Sequence, residues 1–510
     1  MLIKKYLNLI LFLLCILILL FIQLNIYKNL NLTVIDEMQY LFGIEKGSSY
    51  SFYPSSTFFM INRFITLDYN TVSNARILNK IFLILGFFPI YYFCSIIANK
   101  FLKFSIYLFY FFGPYSVYSN YVMPEILFGC LMGYCLLIID LYFSKQKNLY
   151  FIIFAVLIGI ALGVKSHSIV LLIVFIFLMF IKNFKVENTY SFIPLIKSTF
   201  VLLISFSVYL IIRYLEGLGV NNSIVGGYST IISSNDFNIV IFLKNLAILT
   251  FPHIIIMMLL ILPSLYISNF KNINIFKFDI EKKSIIFIAL FSYITLSIIY
   301  SSLVAGVLPG DTNSRVHTRY YSWCIPFGLI AMISVLERNI AKFNLRFLLN
   351  IYLILILIYI IFKYFFDISY VDNPDHAFMF SNLSLFIVLL IPFIKIKKIN
   401  RISLIILLCT LYSSYSSHLS VSSRIIDTPP DWAGKFICNN NFDKYKFVLV
   451  HDIISYGFLY FNCSKIKIII NDHANKYEDV PFIVVDQFSN KMYSNNPYFT
   501  TIHPGVFIHD

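Results

Sequence analysis

Long apolar runs alternate with short polar breaks from the start of the chain to about residue 418. About 20 mostly apolar helical residues cross roughly 30 Å of hydrocarbon. Runs of suitable length recur near 6–26, 77–98, 101–118, 122–143, 149–164, 167–182, 197–215, 240–267, 284–305, 320–336, 346–366, 379–394 and 402–417. The pattern predicts a polytopic α-helical membrane protein of about 13 spans. A membrane β-barrel would show short alternating segments instead. The first run follows Lys4 and Lys5, lacks a small-residue cleavage site and leads into Asn25, Tyr27 and Asn29. It reads as a retained span rather than a cleaved signal.

From about Val421 the apolar runs shorten to strand length, in "KFVLVHD", "KIKIIIND" and "PFIVVDQF", with turn residues between them. This predicts two domains: a multi-spanning region over 1–418 and a small α/β or mostly β domain over 419–510. No Gly-rich phosphate loop occurs in the second.

Composition agrees with a membrane protein: 59% of the 510 residues are hydrophobic and 13% charged. The net charge of +14 invites a nucleic-acid partner. Its distribution argues for topology instead. Lys and Arg fall in short clusters at alternate breaks: Lys100 and Lys103; Lys145 and Lys147; Lys182 and Lys185; Lys271, Lys277, Lys282 and Lys283; Arg338, Lys342 and Arg346; Lys395, Lys397, Lys398 and Arg401. The positive-inside rule then puts the N-terminus in the cytoplasm, and about 13 spans put the tail domain outside, in an inner or plasma membrane. Six of the eight Cys lie in apolar runs; Cys438 and Cys463 lie in the tail, where the oxidising side would permit a disulfide as well as two small buried thiols.

The outer connections carry the acids and the candidate chemistry. The first, at 27–76, holds Asp36 and Glu37 in "TVIDEMQY". Adjacent carboxylates repel unless a cation, a proton or a basic partner is near. The pair suits proton abstraction from an acceptor or divalent-metal binding, and equally a solvated pair capping the next helix. Glu125 follows Pro124 in "YSNYVMPEILFG", a helix-start pattern on the same side, where Asp36 and Glu125 become candidate metal ligands. Lys165 and His167 interrupt the apolar pattern in "LGVKSHSIV", as cations for a lipid phosphate or as a snorkelling pair. Arg315, His317 and Arg319 in "SRVHTRYYSW" form a dense outer basic cluster, against the usual bias. Arg binds phosphate oxygens in bidentate fashion, and alternation puts the three on one side of an extended segment. Arg76 in "NARILNK" is a further outer cation or a helix-entry anchor. No Ser-His-Asp elbow, Walker loop, HExxH helix or cytoplasmic nucleotide-sugar DxD site is present.

These motifs, in this order, resemble GT-C glycosyltransferases, and more narrowly glycosyltransferase family 39 and its bacterial relatives, the protein O-mannosyltransferases and lipid A aminoarabinose transferases. The resemblance rests on "IDEMQY", "NARILNKIF", "MPEILFG", "VKSHS" and "RVHTRYYSWCIP", with Arg319-Tyr320 before Pro326, and covers the first 330 residues or so. It implies an inverting hexosyl- or pentosyltransferase that takes its sugar from a polyprenyl-phosphate donor. By that resemblance Asp36 is the general base or metal-facing acid, Glu37 its partner and Glu125 a second carboxylate. Lys165, Arg315 and Arg319 hold the leaving phosphate, with His167, His317, Arg76 and Tyr320 as further members. A divalent metal is the one cofactor in view. The short first outer loop and the lack of an inserted outer domain favour a glycan or lipid acceptor over protein, in envelope polysaccharide or lipopolysaccharide synthesis. The competing readings are an O-antigen polymerase or ligase, which carries its largest outer loop late, and a flippase or transporter, which needs charges or broken helices at mid-membrane.

Overall fold

A computed structural model describes residues 35–46, 55–65, 71–187, 192–217 and 322–339, strand residues within 447–509, and a few isolated helical positions. The chain divides into two compact units, Met1–Tyr27 with Gln39–Leu419, and Lys28–Met38 with Ser420–Asp510. Most of the expected spans 6–26, 240–267, 284–305, 346–366, 379–394 and 402–417 lie outside the described residues, as do Cys438 and Cys463.

The first two helices among the described residues occupy what the sequence presents as a loop. Helix α1 covers Ile35–Lys46 and α2 covers Ser56–Ile65. Both are too short to span a bilayer, but each has an apolar face. Tyr40, Leu41 and Ile44 are buried on α1, and Phe58, Phe59 and Asn62 on α2, at helical spacing. The two helices meet through aromatic edges: Tyr40 lies 5.9 Å from Phe58 and 6.2 Å from Phe59. A Cβ at Gly43 would come within 2.4 Å of the Phe59 ring, so this contact needs glycine.

The spanning region continues with α3 (Thr71–Leu85), α4 (Phe87–Phe93), α5 (Lys100–Phe112), α6 (Glu125–Lys145), α7 (Asn148–Leu162), α8 (Ile169–Glu187), α9 (Ile193–Leu215) and α10 (Cys324–Asn339). Among the described residues three stretches are long and apolar enough to cross a membrane, Val72–Ile96, Glu125–Lys145 and Ile193–Leu215. Expected boundaries shift where local chemistry intervenes. The span expected at 101–118 stops at Phe112, because Gly113 and Pro114 end the helix and a 3-10 turn over Pro114–Asn120 follows. The span expected at 77–98 starts earlier, at Thr71, and breaks at Gly86.

Helices α6 and α7 form a hairpin around Gln146, whose left-handed φ of 54° ends α6. Small residues let α7 and α9 approach: a Cβ at Gly159 would lie 2.6 Å from the Ser205 carbonyl, and Ser205 Oγ donates to the Ala155 carbonyl at 3.0 Å. Such contacts replace the hydrophobic drive that lipid cannot supply. Phe175 of α8 lies 4.2 Å from Phe154 of α7 with the rings tilted, and Trp323 and Phe327, at the start of α10, meet Phe128 and Phe93.

In the second unit five strands form a mixed sheet in the order β2-β1-β3-β5-β4. They are β1 Val448–Val450, β2 Ile468–Ile470, β3 Phe482–Val485, β4 Phe499–His503 and β5 Val506–His509. β1 pairs in parallel with β2 and β3, and β5 pairs antiparallel with β3 and β4. Alternate residues face opposite ways: Val448, Val450, Ile483 and Val485 pack with Ala433 and Ile437, while Phe447, Leu449, Phe482 and Val484 fill the other side. Burial on both faces explains why these strands read as continuous apolar runs.

Candidate active site

Glu125 is the first residue of α6, and its carboxylate sits at the positive end of the helix dipole. The segment before it is fixed from two sides. Asn79 of α3 donates through Nδ2 to the carbonyls of Tyr121 (2.7 Å) and Met123 (3.0 Å). The Tyr115 hydroxyl donates to the Ile126 carbonyl at 3.1 Å. All these groups are buried, so each bond is made where an unmade one would cost most.

Lys165 sits in an extended conformation between the end of α7 and a 3-10 turn over Ser166–Ser168. Helix α2 anchors that stretch. Ser55 Oγ donates to the Val164 carbonyl (3.0 Å), Thr57 N–H to Gly163 (2.9 Å) and Thr57 Oγ1 to Ile160 (3.0 Å). A Cβ at Gly163 would lie 2.2 Å from Thr57 Oγ1, so a side chain there would push α2 away.

The hairpin brings the two motifs together. Lys165 Nζ donates to Glu125 Oε1 at 2.7 Å, with side-chain exposures of 9% and 2%. The second carboxylate oxygen, Oε2, is buried and has no hydrogen-bond partner among the described residues. An ion pair shielded this far from water is held by strong Coulomb attraction, and breaking it would strand a charge. A buried acceptor left open calls for an explanation, and a substrate hydroxyl, a water or a cation would supply one. His167 is buried two residues beyond Lys165.

The other candidates are placed as follows. Asp36 and Glu37 occupy the first turn of α1 rather than a loop, and Glu37 is fully buried rather than solvated. The amphipathic pattern of "IDEMQYLFGIEK" accounts for the difference: it folds as helix once its apolar face finds α2. Arg76 is buried on α3, one turn before Lys80, which is also buried and went unmarked in the sequence reading. Asn79 was missed as well; its only sequence signal is a polar residue in the middle of an apolar helix pattern. Arg315, His317, Arg319 and Tyr320 lie outside the described residues. Among the described residues no group of three or more His, Cys, Asp or Glu side chains is assembled to hold a metal. The donor set on view is the single oxygen Oε2 of Glu125, which does not by itself fit a divalent ion.

No protein-family model and no curated protein matches the chain. Solved structures do. ArnT from Cupriavidus metallidurans, in a crystal structure bound to undecaprenyl phosphate, aligns over 99% of this chain and 98% of its own, with a TM-score of 0.56 and 10% identity. Its apo form aligns over 98% and 97%, with a TM-score of 0.52 and 11% identity. The chain shares the fold of ArnT over nearly its whole length. A further match, an Archaeoglobus fulgidus oligosaccharyltransferase, aligns over 92% of this chain and 64% of its own, with a TM-score of 0.39 and 12% identity.

Proposed function

We propose that the protein is a membrane glycosyltransferase that moves a hexosyl or pentosyl group from a polyprenyl-phosphate donor to a glycan or lipid outside the cytoplasm, in envelope polysaccharide or lipopolysaccharide synthesis. The observation that carries this reading is the buried Glu125–Lys165 pair with one open carboxylate oxygen. It stands in a fold that ArnT also has, and ArnT was crystallised with undecaprenyl phosphate.

The reaction is an inverting displacement. An acceptor hydroxyl attacks the anomeric carbon, the bond from that carbon to the phosphate oxygen breaks, and polyprenyl phosphate leaves. The hydroxyl proton passes to a carboxylate. The sequence resemblance gives that task to Asp36, with Glu37 beside it. Glu125 serves as the second carboxylate and receives an acceptor hydroxyl at Oε2. Lys165 holds Glu125 in place, and with Arg315 and Arg319 it neutralises the phosphate as charge builds on the leaving oxygen. That interaction strengthens toward the transition state and so accelerates the chemical step.

The test is transfer from a panel of polyprenyl-phosphate sugars in proteoliposomes, for wild type, Asp36→Asn and Glu125→Gln at matched expression and fold. A fall of about 10²- to 10⁴-fold in either variant fits loss of a proton-transferring carboxylate. Equal rates in all three would remove these acids from the mechanism. No release of polyprenyl phosphate from any donor would favour the polymerase or transporter reading. The same assay with EDTA, then with Mn²⁺ restored, reads whether a divalent metal takes part.

A further inference from the structure

Arg63, in the last turn of α2, makes three contacts that the proposed chemistry does not use. Its Nε donates to the Ile44 carbonyl at 2.9 Å, and its Nη2 to the Gly43 carbonyl at 3.1 Å and to Glu216 Oε2 at 2.9 Å. Gly43 and Ile44 are among the last four residues of α1, whose carbonyls have no partner within the helix. A guanidinium presents its donors in a rigid fork and carries the charge that favours a helix C-terminus. It therefore caps α1 more fully than a lysine could. Glu216 closes α9, and its side chain is 2% exposed, while that of Arg63 is 42% exposed. One side chain thus ties the ends of α1, α2 and α9. At its other end α2 is bonded to the stretch just before Lys165.

We propose that Arg63 is a positioning residue that fixes the axis of α1, and through it the acid pair at the start of that helix. Helix α1 is continuous, so Asp36 lies about 12 Å along the axis from Ile44 at 1.5 Å per residue. A tilt at the capped end swings the acids at the other. This inference rests on the role given to Asp36 and Glu37 above. Arg63 touches no reacting group itself.

The experiment compares wild type with Arg63→Ala, Arg63→Lys and Glu216→Gln in nanodiscs, by hydrogen exchange and by initial transfer rates. Arg63→Ala is expected to speed amide exchange in α1 at least tenfold, with α6 and α7 unchanged. Its kcat is expected to fall at least tenfold while the donor KM stays within threefold. Arg63→Lys should recover part of both effects. Glu216→Gln keeps the carbonyl cap and should change each by less than threefold; if Arg63→Ala does not fold, Arg63→Lys carries the test, since losing the fork should still speed exchange in α1 alone. Unchanged exchange in α1 with Arg63→Ala overturns the proposal. So does a rise spread evenly over α5 to α9, which would mark general loosening, or a Glu216→Gln effect as large as that of Arg63→Ala. If wild type transfers no sugar, the functional reading fails on its own. Exchange confined to α1 would still support the cap, and its absence would sink it.

Discussion

Helix α6 carries a buried carboxylate near each end, and the two are wired differently. Glu125 at the N-terminus faces an ammonium and keeps one oxygen open. Asp140, about 22 Å further along the axis at 1.5 Å per residue, receives the Tyr92 hydroxyl at 2.5 Å. Both are almost fully buried. Burial of an acid therefore does not separate a reacting group from a structural one. The separating feature is an acceptor atom that the described residues leave unmet at Glu125 and not at Asp140. A tyrosine hydroxyl stitching α4 to α6 needs no such open atom.

The largest effect that could break this contrast is on transfer. Glu125→Gln leaves an oxygen for Lys165 but removes the charge, and transfer is expected to fall about 10³-fold, within the range for general acid–base groups. Asp140→Asn keeps an acceptor for Tyr92 and should leave transfer within about threefold. Initial rates in proteoliposomes decide it. Similar losses in both variants would mean that the two ends of α6 do not differ in role.

The next effect is on stability. Lys165→Met strands the Glu125 carboxylate in a water-poor site, and losing one partner of a buried pair costs about 3–5 kcal/mol. Adding Glu125→Gln removes the stranded charge, so the double variant should regain much of that loss. Reversible unfolding in detergent measures both. A double variant no more stable than Lys165→Met would show that the ammonium matters through contacts other than Glu125.

The pairing of Glu125 with Lys165 shows how far the sequence reaches. Hydropathy placed both residues at helix ends, because charge is excluded from the apolar runs. Their contact was also within reach: they stand 21 and 19 positions from Gln146, the turn of one helical hairpin, so antiparallel packing sets them opposite each other. Strands β1, β2 and β3 of the second unit were legible for a similar reason, since runs such as "FVLV" and "FIVV" are too short for spans and are bounded by turns, whereas β4 and β5 went unmarked. Helices α1 and α2 were not legible. Their stripes are narrow, and they are stable only because Phe58 and Phe59 have Tyr40 and Gly43 to pack against. The Asn79 clamp was invisible too, since its partners are backbone carbonyls that leave no trace in residue type.

A smaller effect probes how α2 holds the Lys165 turn. Gly163→Ala puts a methyl into Thr57 Oγ1, and overpacking of this kind costs about 1–3 kcal/mol. Combining it with Thr57→Ala removes the clashing Oγ1, at the cost of its bond to the Ile160 carbonyl, and should recover part of the loss. The melting temperatures of the single and double variants provide the check. Recovery absent from the double would place the strain elsewhere in the turn.

The smallest effect is the most exacting for the contrast. Tyr92→Phe removes the hydroxyl that Asp140 accepts and leaves the ring in place. If that bond is only a stitch between α4 and α6, the loss is about 1–3 kcal/mol of stability, the usual cost of leaving a buried acceptor unmet. Transfer per folded molecule should then be unchanged. Replacing both partners, Tyr92→Phe with Asp140→Leu, removes the donor and the acceptor of this bond together, and should be no less stable than Tyr92→Phe alone. A double variant that is stable but transfers poorly would give Asp140 a part in the reaction, and the two ends of α6 would then be alike.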